Sequence, residues 1–204
     1  MYNECIFFSQ LFLISFFIIY FLRQNNILYL YIFSPILIIL INLLVNKEII
    51  LFGMHTTCVE PLAVALFWIG SIIYIKDKEK GAKNLLNYNF IFSILTVCIS
   101  YTVFLYNTYL NNIYDKIFYQ FIYSIILSNI TFFLSYFIER KIYNILKSQF
   151  ISVVFSQFID TFLYTILYFE SCNKIKFEII IFSFTLKFIC ICFYAYFIQE
   201  KIKN

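Results

Sequence analysis

The stretch QFISVVFSQFIDTFLYTILYF, Gln149 to Phe169, decides the class of fold. Most of its positions are Phe, Ile, Leu, Val or Tyr, and its length matches the roughly 20 residues an α-helix needs to cross a bilayer. One charge interrupts it, Asp160, near the middle. At helical spacing Ser152, Ser156 and Asp160 fall at i, i+4 and i+8 on one face, and Gln157, Thr161 and Tyr164 extend that face by one position. A carboxylate at mid-bilayer depth costs about 2.5–3.5 kcal/mol on insertion scales. Such a group persists where it faces a bundle interior or a ligand, which makes this polar stripe the first candidate for a functional site.

The rest of the chain has the same character. Its 204 residues are 63% hydrophobic and 13% charged, with a mean hydropathy of +0.86. A soluble domain carries about 25% charged and 45–50% apolar residues, so a soluble fold of this length could not hide this much apolar surface. Transmembrane β-strands alternate apolar and polar residues, and this chain does not. Helices remain, because they satisfy their own backbone in lipid. The expected fold class is all-α: a polytopic membrane helical bundle of six to seven transmembrane helices, one domain over residues 1–204. Its first partner is the lipid bilayer. The abundant Phe and Tyr accompany Ile, Asn and Lys, all with AT-rich codons, so most aromatics are expected simply to face lipid.

Apolar runs fall at residues 6–22, 27–45, 60–75, 89–106, 117–138, 149–169 and 176–198. The first lacks a basic flank and a small-residue cleavage site, so it is expected to be a retained helix. The run at 60–75 is short and follows Pro61; it is expected to tilt or to continue a non-helical approach. With seven spans, Arg23, Lys76, Lys78, Lys80, Lys83, Arg140, Lys141, Lys147, Lys201 and Lys203 share one side, and Lys47, Lys116, Lys174 and Lys176 the other. Excess Lys and Arg marks the cytoplasm. The expectation is a multi-pass protein of the inner (plasma) membrane with a cytoplasmic C-terminus. The net charge of +4 therefore reads as topology, not as nucleic-acid binding.

A second polar cluster lies between Ile41 and Pro61, in INLLVNKEIILFGMHTTCVEP. Gly53 and Pro61 interrupt two apolar runs there. It reads either as a broken helix lining a cavity or as an ordinary extracellular loop. Lys187 is the third candidate. It sits deep in the last run, where pairing with Asp160 would neutralise both groups; a purely structural pair is the equal alternative. His55 has no partner at metal-ligand spacing. The runs Lys76–Lys80 and Glu139–Lys141 read as solvated turns, and Trp68 as packing or a stacking partner. Of the six cysteines, Cys98, Cys190 and Cys192 lie in apolar runs and are expected to be buried packing. No Walker loop, nucleophile elbow or zinc-protease motif is present.

Several of these residues together resemble the queuosine precursor transporter family, also called the VUT family. Asn42-Leu-Leu-Val-Asn-Lys47, Leu51-Phe52-Gly53 and Thr57-Cys58-Val59-Glu60 are similar to its opening pattern. Ser152…Ser156-Gln157…Asp160-Thr161 resembles its later Ser-x-x-x-Ser-Gln-x-x-Asp-Thr helix, and Lys187 matches a Lys in its last helix. The order and separation agree over residues 40–190. Two features depart from the pattern. The helix after Glu60 keeps only Ser71 and Tyr74 as polar residues, and Glu60 stands where the family more often has Asp.

The resemblance implies a bundle similar to the S-components of vitamin uptake systems, with a central ligand cavity, no enzyme activity and no cofactor or bound metal. It implies uptake of a 7-deazaguanine-type base such as queuine or its cyano- or aminomethyl- precursors, which serve tRNA modification. The expected substrate-binding residues are Asn42, Lys47, Glu60, Ser156, Gln157, Asp160 and Lys187. Carboxylates and amides suit the paired N–H donors of a purine-like edge. Transport would need alternating exposure or an energy-coupling partner, since the chain has no nucleotide motif; the partners expected are a homo-oligomer or that energy-coupling partner. The alternative class is a structural or assembly subunit of a membrane complex with a buried Asp–Lys pair.

Overall fold

The structure is a computed structural model that describes residues 2–24, 26–106, 112–170 and 177–202, with side chains described over 2–24, 26–102, 119–168 and 178–198. The side chains of Lys116, Cys172, Lys174, Lys176, Lys201 and Lys203 lie outside the described residues. In chain order the elements are α1 (Tyr2–Arg23), α2 (Leu28–Leu44), β1 (Glu48–Leu51), β2 (Met54–Thr57), α3 (Glu60–Tyr106), α4 (Asn112–Leu146), α5 (Gln149–Glu170) and α6 (Phe177–Ile202). The chain is an all-α membrane bundle. Five of its helices are long and apolar enough to cross a membrane, and α2 is a shorter apolar helix.

Helical periodicity explains which side of each helix turns inward. In α1, Phe7, Leu11, Ile14, Ile18 and Leu22 are buried at spacings of three and four, while Phe8, Phe12, Phe16 and Tyr20 are exposed. A soluble monomer rarely exposes so continuous an apolar face; a bilayer accommodates it without cost. The first part of α3 differs. Val64 through Ile69 are all buried, so this segment is apolar all round and forms the axis of the bundle.

Two of the seven apolar runs form two helical arms of α3, joined at a sharp fold at Lys78. The backbone there is left-handed, at φ 53° and ψ −147°. Near α2's end, the Cys58 thiol donates to the Leu44 carbonyl at 3.8 Å. Near its start, the Tyr31 hydroxyl donates to Asp77 at 2.9 Å, and Ser34 bonds Asn89 at 2.9 Å. The arm before Lys78 therefore runs antiparallel to α2, and the arm after it returns alongside. Gly81 permits the fold: a Cβ there would lie 2.4 Å from Asp77 Cβ and 3.1 Å from Ile73 Cγ2. The exposed 76–80 turn agrees with the sequence reading, although Asp77 and Glu79 also make side-chain bonds.

The Ile41–Pro61 cluster is neither a broken helix nor an irregular loop. Residues 48–57 form a two-stranded antiparallel hairpin pairing Glu48 with Thr57 and Leu51 with Met54. Phe52 and Gly53 make its turn at φ 51° and 82°. Two successive positive φ values give the backbone twist that a two-residue hairpin loop needs. The hairpin is tied to α1, because Asn3 donates to the Ile50 carbonyl at 3.0 Å and Phe52 N–H donates to Glu4 at 3.0 Å.

Two further readings are corrected, Glu139 and the cysteines, and a third, Trp68, is resolved. Glu139 is not in a solvated turn. α4 continues to Leu146, so Glu139 is still inside the bundle, 2% exposed and accepting from Ser71. Cys98 and Cys192 are exposed, and of the cysteines in apolar runs only Cys190 is buried. Their positions fall on outward faces of their helices, where a thiol is apolar enough to sit among lipid-facing side chains. Trp68 is fully buried and serves as packing.

Candidate functional site

A cavity of about 500 Å³ lies at the hairpin end of the bundle, between the hairpin, the start of α3 and helices α2, α4, α5 and α6. Its size is in the range of small-ligand pockets, about 300–1,000 Å³. Each wall comes from a residue periodicity. On α5, Thr161, Tyr164, Thr165 and Tyr168 line it at i, i+3, i+4 and i+7; on α6, Ile179, Ser183 and Lys187 follow at i, i+4 and i+8. Ser128 and Thr131 contribute from α4, and His55, Thr56 and Thr57 from the hairpin.

Three charges meet beside it. Lys187 Nζ donates to Asp160 Oδ2 at 2.8 Å and lies 3.7 Å from Glu60 Oε2. All three side chains are at most 13% exposed. Glu60 occupies the first turn of α3, where the helix dipole favours a negative charge. Its Oε1 accepts from Ser183, and from Thr56 and Thr57 at 3.4 Å. Its Oε2 accepts no hydrogen bond. The group holds two carboxylates and one ammonium, so its formal charge is −1. Cys58, just outside, lines no part of the cavity; burial pushes its thiol pKa up, so it stays protonated beside α2.

The seven residues expected from the sequence divide. Glu60, Asp160 and Lys187 line the cavity, and the pairing of Lys187 with Asp160 is present. Asn42, Lys47, Ser156 and Gln157 lie off its wall. Asn42 is fully buried and accepts from Asn129 at 3.3 Å, and Asn129 in turn accepts from Ser93 at 2.7 Å. That relay ties α2 and α4 to the returning arm of α3. Lys47 is exposed at the hairpin's base. Ser156 donates to the Val153 carbonyl of its own helix at 2.9 Å. Gln157 is fully buried with both amide atoms unpartnered. Only the half of the α5 stripe nearer the hairpin faces the cavity.

Sequence reasoning missed Ser128, Thr131, Tyr168, Glu178 and Ser183. The signal was present for Ser183, four residues before Lys187 and therefore on its face. A polar stripe on α4 was also readable: Ser128, Thr131, Ser135 and Glu139 recur at spacings of three, four and four.

The lining is a mixture of apolar wall, hydroxyls, two tyrosines and converging charges, which suits recognition of a small polar ring. Among the described residues, no three His, Cys, Asp or Glu side chains gather as a metal site would require. No family model, no curated protein and no solved structure matches this chain.

Proposed function

We propose that this chain is a membrane permease that captures a queuosine precursor, a 7-deazaguanine-type base such as queuine, in the cavity beneath the hairpin. The observation that carries the reading is the coincidence of a ligand-sized void with Glu60, Asp160 and Lys187. A deazaguanine edge presents several N–H donors, and a carboxylate accepts paired donors well. The resemblance of the Ser152–Thr161 segment to the family's later helix supplies the substrate class.

The ends of the bundle support uptake. Arg23, the Lys76–Lys83 turn and Lys147 lie at the end away from the hairpin, where α1 finishes, α3 folds and α4 meets α5. By the positive-inside rule that end is cytoplasmic. The cavity then opens toward the outside of the inner (plasma) membrane, and α6, starting at the cavity, carries the C-terminus inward. Release on the other side requires alternating exposure or an energy-coupling partner.

Asp160→Asn should abolish uptake, read as tRNA modification in a queuosine-deficient, uptake-deficient cell, while membrane abundance stays near that of the parent. A structural or assembly subunit is the competing reading, favoured by the pairing of Lys187 with both Asp160 and Glu60 across three helices. Collapse of abundance in Asp160→Asn, with no ligand binding by the parent protein, would select that reading instead.

A further inference from the structure

We propose that the cavity selects a cationic ligand: a flat heteroaromatic base carrying a protonated amine, which Glu60 and Asp160 receive. The proposal rests on the permease reading for the ring and on the cavity's own charges for the amine. Among the described residues, four carboxylates line the space, Glu48, Glu60, Asp160 and Glu178, against one ammonium, Lys187. The other ionisable groups lining it among the described residues are His55, Tyr164 and Tyr168. Lys187 gives its short bond to Asp160, so it leaves the group one positive charge short.

Glu60 shows where the missing charge belongs. It is 3% exposed, lines the cavity, and its Oε2 accepts no hydrogen bond, with only the shared Lys187 ammonium 3.7 Å away. A buried carboxylate oxygen in this state lacks part of its solvation, and an entering ammonium restores it through a charge-assisted hydrogen bond. The rim adds a second effect. Glu48 on β1 and Glu178 in the first turn of α6 are exposed, and acids around a low-dielectric cleft raise the local concentration of cations. The wall adds a third. The rings of Tyr164 and Tyr168 stack at 5.6 Å with planes 11° apart, giving a flat face for a heteroaromatic ring or its cation. A neutral analogue gains the ring contact and neutral N–H bonds, without the charge-assisted bond at Glu60.

The test is direct binding to the purified full chain in lipid nanodiscs, using 7-aminomethyl-7-deazaguanine and 7-cyano-7-deazaguanine. These share a ring and differ in charge. The aminomethyl compound should bind at least tenfold tighter. Glu60→Gln should remove that preference. Glu178→Gln, on the exposed rim and safe for folding, should weaken the cation severalfold at low salt and little at high salt. Equal affinities, or tighter binding of the cyano compound, would overturn the inference and leave the permease reading standing. Tryptamine, an aromatic amine on an unrelated ring, separates the two ideas further. Binding of tryptamine without either deazaguanine would keep the cationic site and overturn the substrate class. Binding of none of the three overturns the inference.

Discussion

Two glutamates lie almost wholly buried in this bundle, Glu60 beneath the hairpin and Glu139 toward the basic end. Each accepts from a serine on a neighbouring helix, Glu60 from Ser183 and Glu139 from Ser71. The resemblance ends there. Glu60 stands next to a void and within 3.7 Å of a lysine that also holds Asp160. Glu139 does not line that cavity, and no ion pair to it is present among the described residues. Its neighbour Arg140 lies over the Tyr136 ring at 5.5 Å and pairs with Glu79 at 3.2 Å. An acid that only bonds a hydroxyl in packed surroundings is a tie between helices. An acid with a shared ammonium and open space beside it is equipped to exchange partners.

The largest effect should come from Lys187→Met. It leaves Asp160 and Glu60 buried without a counter-charge, and breaking a buried pair in this way costs about 3–5 kcal/mol. Denaturation in detergent should show the loss, and neutralising Asp160 in the same chain should return much of it. Next is Gly70→Ala, beside the Glu139 region, where the new Cβ would lie 2.4 Å from Tyr136 Cε2. Overpacking of this kind costs about 1–3 kcal/mol, and ligand affinity should not change because Tyr136 is remote from the cavity. Glu139→Gln keeps an acceptor for Ser71 and should shift stability by less than about 1 kcal/mol with no change in ligand affinity. A loss of affinity equal to that of Glu60→Gln would erase the distinction between the two acids. Phe52→Asn works in the opposite direction. It relieves a left-handed aromatic residue at φ 51° and should stabilise the hairpin by about 1 kcal/mol, visible as slower amide exchange at Ile49 and Thr56, a hydrogen-bonded pair of the ladder.

What could be read beforehand followed the periodicities. The apolar runs mark the helices because a membrane span needs length and little else, and Asp160 and Lys187 stood out as charges with nowhere polar to go. The hairpin was not readable for a physical reason. Its strands have four residues each, too few for alternation to emerge, and Phe52-Gly53 lacks the Asn or Asp that marks such turns. Glu139 was misread because Arg140 and Lys141 follow it, and three successive charges suggest water. On a helix, successive residues point about 100° apart, so one of the three can face inward while its neighbours do not. Asn42 and Gln157 were recognised as unusual in an apolar setting, but a buried amide serves helix contacts as readily as ligands.

The bond from Asn3 to Ile50 and the one from Phe52 to Glu4 give α1 a hold on the roof of the cavity, although no residue of α1 lines that space. Mechanical load applied to the first turn of α1 would thus be transmitted to the lid above the binding chamber through two side chains. A fluorophore or affinity handle attached there would report on, and also disturb, the hairpin over the cavity; one attached to the turn at Lys78 would leave it untouched.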